Sequence, residues 1–212
     1  YHALTSWAWL ELAGYYKLSR YLSDAGQFGT TPLLNFFAFD RGWQRGIDGA
    51  LKVQVTDNLT ARGNVGWGQC KGYGLQSGHF LLEQKEIDDI NSRGGVFCDH
   101  MQTLTSSAVA SYRFQERTTF TGQMLYASGL RTAADEIAKT NSSHSPSYTI
   151  YNASITHVIP LPWHNQRLLL GIDVVNLLDQ KYFINQGEGS IGLGVSHAGM
   201  PRSFFFRAQW VF

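Results

Sequence analysis

The chain is poor in charge, proline and cysteine. Lys, Arg, Asp and Glu make up 16% of its 212 residues, where globular proteins carry about a quarter. With 43% hydrophobic residues, this excludes disorder, which needs low hydrophobicity and high charge. The formal charge is only +1, so a general nucleic-acid binder with a basic stripe is excluded. Two Cys make neither a disulfide scaffold nor a four-Cys zinc site. No run of about 18 apolar residues is present, so no membrane-spanning helix is expected. Glu, Lys, Ala and Leu are too few for a coiled coil or helical array. The chain opens on Tyr1 without a basic n-region, an apolar h-region or a cleavage site. The expectation is either a mature protein or a piece of a longer one.

What is abundant is glycine (22), aromatic residues (14%) and two-residue alternation. In Ser203 to Phe212, Phe204, Phe206, Ala208, Trp210 and Phe212 alternate with Ser203, Phe205, Arg207, Gln209 and Val211. Successive strand side chains point to opposite faces, so one face is apolar and the other carries a charge, an amide and a hydroxyl. Similar alternation runs through 7–18, 46–55, 59–68, 103–114 and 120–127, and less cleanly through 148–159 and 167–178. These are eight expected strands, most of about 10–13 residues, where soluble sheets favour about 5–6. A bilayer requires about 9–11 tilted residues per strand. Short connections at 56–58, 115–117 and 160–166 alternate with long ones at 22–44, 70–102, 129–147 and 180–202. That is the layout of an antiparallel transmembrane β-barrel, with short periplasmic turns and long extracellular loops.

Charge follows the same parity. Glu11, Lys17, Asp48, Lys52, Arg62, Arg113, Asp173 and Arg207 all fall on the polar face. A basic side chain turned to mid-bilayer lipid costs about 2–4 kcal/mol. Tyr112, Phe114, Phe120, Trp210 and Phe212 fall near the short-turn ends, and Tyr16, Trp67 and Tyr126 near the other. Two aromatic girdles are the expectation for a barrel in a membrane.

Several segments resemble the C-terminal barrel of TonB-dependent outer-membrane receptors. Asn176 to Phe183 (NLLDQKYF) is similar to the signature of their penultimate strand, and Pro201 to Phe206 (PRSFFF) to the opening of their last. DAGQFGTTP (24–32), DHMQTLTSSAVASYRF (99–114), ASGLR (127–131) and GEGSIGLGV (187–195) resemble recurrent pieces of one branch. Phe212 matches the terminal aromatic read by the outer-membrane barrel-assembly machinery. Such receptors are plugged barrels of about 22 strands. The resemblance therefore implies that 1–212 is a C-terminal part of that barrel, without the plug and N-terminal strands. It implies residence in the bacterial outer membrane, in contact with its lipid. It also implies energised uptake of a scarce nutrient, a ferric siderophore above all. TonB would act through an N-terminal segment outside this chain.

On this reading the ligand-facing loop candidates are Arg131 and Lys139, which would attract an anionic chelate, and Phe36, Phe37, Trp43 and His144, which would pack against it. Each is equally a solvated loop or girdle residue. Cys70 tops the third strand and Cys98 precedes the fourth. In an oxidising compartment a disulfide between them is expected, closing the 71–97 loop at about 3–4 kcal/mol; two free thiols are the alternative. The acidic run Glu83–Asp89 lacks EF-hand spacing and reads as a solvated loop.

No cofactor site and no enzyme activity are expected. The His residues lie at no metal-ligand spacing, and no Gly-x-Ser-x-Gly elbow offers a nucleophile. The second reading is a free-standing eight-stranded barrel with a structural or adhesive role. Its interior would have to be filled by side chains, and Thr60, Asn64, Gly66, Gly68, Thr103, Thr105, Ser107 and Ser111 are too small for that. They suit a wide wall packed against something else.

Overall fold

A computed structural model describes residues 2–27, 34–77, 83–98, 101–132, 141–162, 166–185 and 196–212. Eight long strands dominate it: β2 (Ala8–Gln27), β3 (Leu34–Thr56), β4 (Leu59–Ser77), β6 (Leu104–Phe114), β7 (Thr118–Ala127), β10 (Tyr148–Pro160), β11 (Arg167–Val175) and β14 (Ser203–Val211). Short pieces accompany them: β1 (His2–Thr5), β5 (Val96–Phe97), β8 (Arg131–Thr132), β9 (Ser143–His144), β12 (Phe183–Asn185) and β13 (His197–Ala198). One helix, α1 (Gln84–Ser92), lies between β4 and β5.

The long strands pair antiparallel in sequence order, β1-β2-β3-β4-β6-β7-β10-β11-β14, with β5 added beside β4. This is a continuous meander, the topology of a barrel wall. Among the described residues β1 and β14 do not pair with each other, so the sheet has two open edges.

The register confirms the parity. Leu10 faces Leu51, which faces Gly63 and so Ala108 and Met124. Ile155 faces Ile172, which faces Phe206. Opposed residues share a face, so these apolar groups form one belt. Much of it is exposed, Leu12 at 69% and Phe206 at 78%. An apolar belt of this extent left uncovered marks a surface made for lipid or a partner.

The opposite, inner face is polar and glycine-rich. Asn64 Oδ1 accepts from Ser107 N–H (3.2 Å) and Ser107 Oγ (3.0 Å). Asn152 Nδ2 donates to Gln123 Oε1 at 3.0 Å, and Ser154 Oγ to Asp173 Oδ1 at 2.6 Å. Arg207 Nε donates to Asp173 Oδ2 at 2.9 Å. Gly46 and Gly68 are register partners, and a Cβ on either would strike the Tyr15 phenol, which lies across them. The two glycines are there because the ring approaches the backbone this closely.

Beyond Arg20 and Arg41 the alternation breaks. Tyr21 and Gly74 have positive φ, 59° and 66°, and the β3–β4 register shifts between Ala38 and Phe39. Such irregularities twist a strand and re-aim its side chains. Leu22 and Phe39 now lie over Gly42 and Gly72 of the inner face. There Phe37, Phe39 and Leu75 form a buried core with Ile87 and Ile90 of α1 and with Val96.

Four expectations are corrected here. The expected link 22–44 is mostly strand: β2 runs to Gln27 and β3 starts at Leu34. Within the expected link 70–102, β4 continues to Ser77 and α1 follows. The acidic run expected to be a solvated loop is that helix, opened by a reciprocal Glu83–Glu86 capping box that satisfies otherwise unpaired N–H groups. Ile87 and Ile90, at helical spacing, supply its buried side. The seventh strand stops at Val175 rather than Leu178, because Asn176 takes φ 53°, a left-handed turn that Asn tolerates.

Candidate functional site

The end of the sheet with the long connections is built up by short strands, α1 and one disulfide. Cys70 is buried on the inner face, opposite Gln44. It is bonded to Cys98, with the Cα atoms 5.3 Å apart, and Cys98 N–H donates to Cys70 O at 3.1 Å. The bond therefore continues the β4–β5 ladder. It holds the segment carrying α1 over the end of β2–β4. Asn91 makes a second tie: its Oδ1 accepts from Leu75 N–H (2.8 Å) and its Nδ2 donates to Leu75 O (3.0 Å). An amide side chain stands in for a neighbouring strand at that residue.

Arg131 and His144 are brought together as register partners of β8 and β9. Arg131 is buried, and its guanidinium lies 4.1 Å from the Phe97 ring centroid. Among the described residues it has no carboxylate partner. His144 is exposed, and its Nε2 lies 2.8 Å from Thr103 Oγ1. Desolvation, with repulsion from the Arg131 cation, holds its imidazole below the usual histidine range. Burial likewise lowers Arg131. Asn141 and Ser145 are buried in the same region, and Asn141 Nδ2 donates to Phe97 O at 3.0 Å. Asn141 Oδ1 and Ser145 Oγ have no partner among the described residues.

The other ligand candidates do not join this cluster. Phe37 is 2% exposed, inside the core against α1, so it is a packing residue rather than an exposed loop residue. Phe36 is a strand residue paired with Ala25, and its side chain lies outside the described residues. Trp43 shares a face with Leu18 and Lys71, the outward one, so it points away from the interior. Its indole donates to Tyr73 Oη at 3.1 Å. Lys139 lies outside the described residues. Asn141 and Ser145 were not singled out in the sequence, and no motif marks them. Among the described residues, no three His, Cys, Asp or Glu side chains converge as a metal site.

The two sequence motifs near the C-terminus meet in space. Asn176 is 1% exposed. Its Nδ2 donates to Gln180 O (2.8 Å) and Met200 O (3.0 Å), and its Oδ1 accepts from Gln180 N–H (2.9 Å). Asp179 Oδ1 accepts from Arg202 N–H at 2.9 Å. The first motif thus supplies the acceptors and donors that hold the start of β14 to the end of β11.

Long antiparallel strands in a meander, an apolar exterior belt and a polar glycine-rich interior define the class: the wall of an outer-membrane-type β-barrel. No family model matches the chain, and no curated protein matches it by sequence. Solved structures are. The siderophore receptor PiuA from Acinetobacter baumannii matches with TM-score 0.66 and 14% identity over 95% of this chain and 26% of its own. The closed form of the ferric-catecholate import receptor Fiu from E. coli K12 matches with TM-score 0.61 and 13% identity, covering 97% and 25%. The copper transporter OprC gives TM-score 0.59 and 12% identity, covering 96% and 29%. The chain thus spans between a quarter and a third of these structures. At such identities the likeness is one of fold, and the structures matched are receptors and transporters rather than enzymes.

Proposed function

We propose that this chain is the C-terminal part of the barrel of a TonB-dependent outer-membrane receptor that imports a scarce nutrient, a ferric siderophore first among the candidates. The observation that carries this is the open sheet. Among the described residues the sheet of eight bilayer-length strands ends in two unpaired edges, which lipid does not tolerate. Further strands of a larger barrel would cover both. The same openness speaks against a free-standing eight-stranded barrel.

The inner face supports the reading. Glu11, Lys52, Arg62 and Asn64 border a hollow of about 560 Å³ on it, with room for part of a plug to dock. TonB would act through the plug side, outside this chain, and Phe212 would serve barrel assembly. At the extracellular end we assign the ligand-facing role to His144, which is exposed, with the buried Arg131 beside it as a positive charge. Phe36 and Lys139 keep the role first expected of them.

The test is uptake of ⁵⁵Fe-labelled chelates by cells with and without the gene that encodes this chain, grown in iron limitation. Loss of energised uptake of at least one chelate, matched by a protonophore in the parent strain, is expected. Unchanged uptake of every ferric chelate, with retained uptake of cobalamin and copper, would overturn the import reading.

A further inference from the structure

Above the apolar belt the outward face changes character. Going up β2, β3 and β4, the outward positions after Tyr16, Ile47 and Trp67 are Leu18 and Arg20, then Arg45, Trp43 and Arg41, then Gln69, Lys71 and Tyr73. Four cations and two aromatic rings thus share one patch, directly above Trp67. Three of the cations are held on ring faces: Arg45 lies 4.7 Å from the Trp43 centroid and 5.8 Å from that of Trp67. Arg41 lies 5.9 Å and Lys71 5.5 Å from that of Tyr73. Arg45 also donates to Gln69 Oε1 at 2.7 Å. Among the described residues none of the four is paired with a carboxylate. Asp40, the acid nearest in sequence, sits beside Gly74 and pairs with none of them. A shallow cleft of about 540 Å³ opens between Leu18, Arg20, Arg41, Trp43 and Tyr73.

We propose that this outward patch of Arg20, Arg41, Arg45 and Lys71 binds the phosphate of an anionic lipid headgroup in the outer leaflet. The inference rests on the membrane-wall reading. The patch lies directly above the apolar belt, at headgroup depth, where aromatic side chains collect. It faces away from the interior, so a solute crossing the barrel does not meet it. Basic clusters at this depth recognise phosphorylated headgroups, and guanidinium groups fit phosphate oxygens in pairs. The cleft between Leu18 and Trp43 has room for the first methylenes of an acyl chain. Four unpaired cations against no carboxylate are the charge complement of a phosphate-bearing lipid.

The experiment uses the whole protein containing this chain, purified in detergent and titrated with diphosphorylated lipid A under native mass spectrometry. Removing the phosphates from that lipid should weaken binding to the unaltered protein roughly tenfold or more. The same loss is expected for Arg20→Gln/Arg41→Gln/Arg45→Gln/Lys71→Gln, and none for the inner-face variant Lys52→Gln/Arg62→Gln. Equal binding to phosphorylated and dephosphorylated lipid, or equal loss in both variants, overturns the proposal. So does displacement by millimolar inorganic phosphate, which would assign the site to a free anion. Heat-modifiable migration and insertion into phosphatidylcholine vesicles are scored separately. A protein that inserts but shows no phosphate preference refutes the lipid site alone. One that stays soluble without detergent refutes the membrane reading, and this proposal with it.

Discussion

Adjacent residues of β3 provide a stringent perturbation. Leu51 is outward, between Leu10 and Gly63; Ala50 is inward, between Glu11 and Asn64. Leu51 lies six positions before the turn residue Asp57. At about 3.4 Å per residue and a tilt of about 40°, that places it about 15 Å above the turn, near the middle of an apolar band about 25 Å tall. Leu51→Arg should therefore cost the full mid-bilayer penalty of about 2–4 kcal/mol. Ala50→Arg adds the same side chain at the same depth but sets it opposite the Glu11 carboxylate. Its expected cost is within about 0.5 kcal/mol of zero. The difference corresponds to roughly 30- to 800-fold in the folding equilibrium. Guanidinium titrations of refolding into phosphatidylcholine vesicles, followed by tryptophan fluorescence, measure both variants of the protein carrying this chain. Equal destabilisation, or a larger effect at position 50, would refute the assignment of faces.

Three further outcomes are expected. Asn176→Ala strips partners from the Met200 carbonyl and from both backbone groups of Gln180. About 2–4 kcal/mol should be lost, read in the same titrations, while Asn176→Asp should restore the Gln180 N–H contact only. Reducing Cys70–Cys98, 28 residues apart in sequence, frees a loop worth about 3–4 kcal/mol in the chain-entropy model. Amide exchange in α1 should accelerate while β10 and β11 keep their protection; unchanged α1 exchange would show that Asn91 and the apolar core suffice. His144 should titrate below its usual value, and Arg131→Gln should move it upward by removing one of the two causes. Because the folded ring binds protons less readily than the unfolded one, this residue's contribution to stability falls as pH drops below about 6.5. The loss levels off below the depressed folded value. NMR of the His144 ring checks both shift and sign.

Much of the wall was legible because an apolar exterior over a polar interior imposes a strict rule on each strand. Leu51, Ala108, Ile172 and Phe206 announce their face by position alone, and Asp57–Asn58 and Gln115–Arg117 close short turns where expected. Legibility ended where the rule did. Residues 22–27 and 34–44 mix Gly, Asp, Arg and Phe without clean alternation. The break at Tyr21 and Gly74 comes from local backbone geometry that only neighbouring strands specify. Helix α1 did leave a trace, Glu83 three residues before Glu86 and isoleucines at 87 and 90. That stretch read as acidic because the charges outnumber the two apolar groups. The candidate site was legible only as residue types. Arg131 and His144 are brought together by a two-residue ladder between β8 and β9, too short for periodicity to reveal, and Phe37 joins a core that Ile87, Ile90 and Val96 reach from far along the chain.

The break at Tyr21, Gly74 and Phe39 has a physical meaning of its own. Below it the greasy side chains of β2–β4 turn outward, and above it they turn inward, onto a helix, as in any water-soluble domain. On the membrane-wall reading one sheet thus serves two solvents in succession, with the basic rim of Arg20, Arg41 and Lys71 between them, and the backbone itself marks where its sides exchange roles.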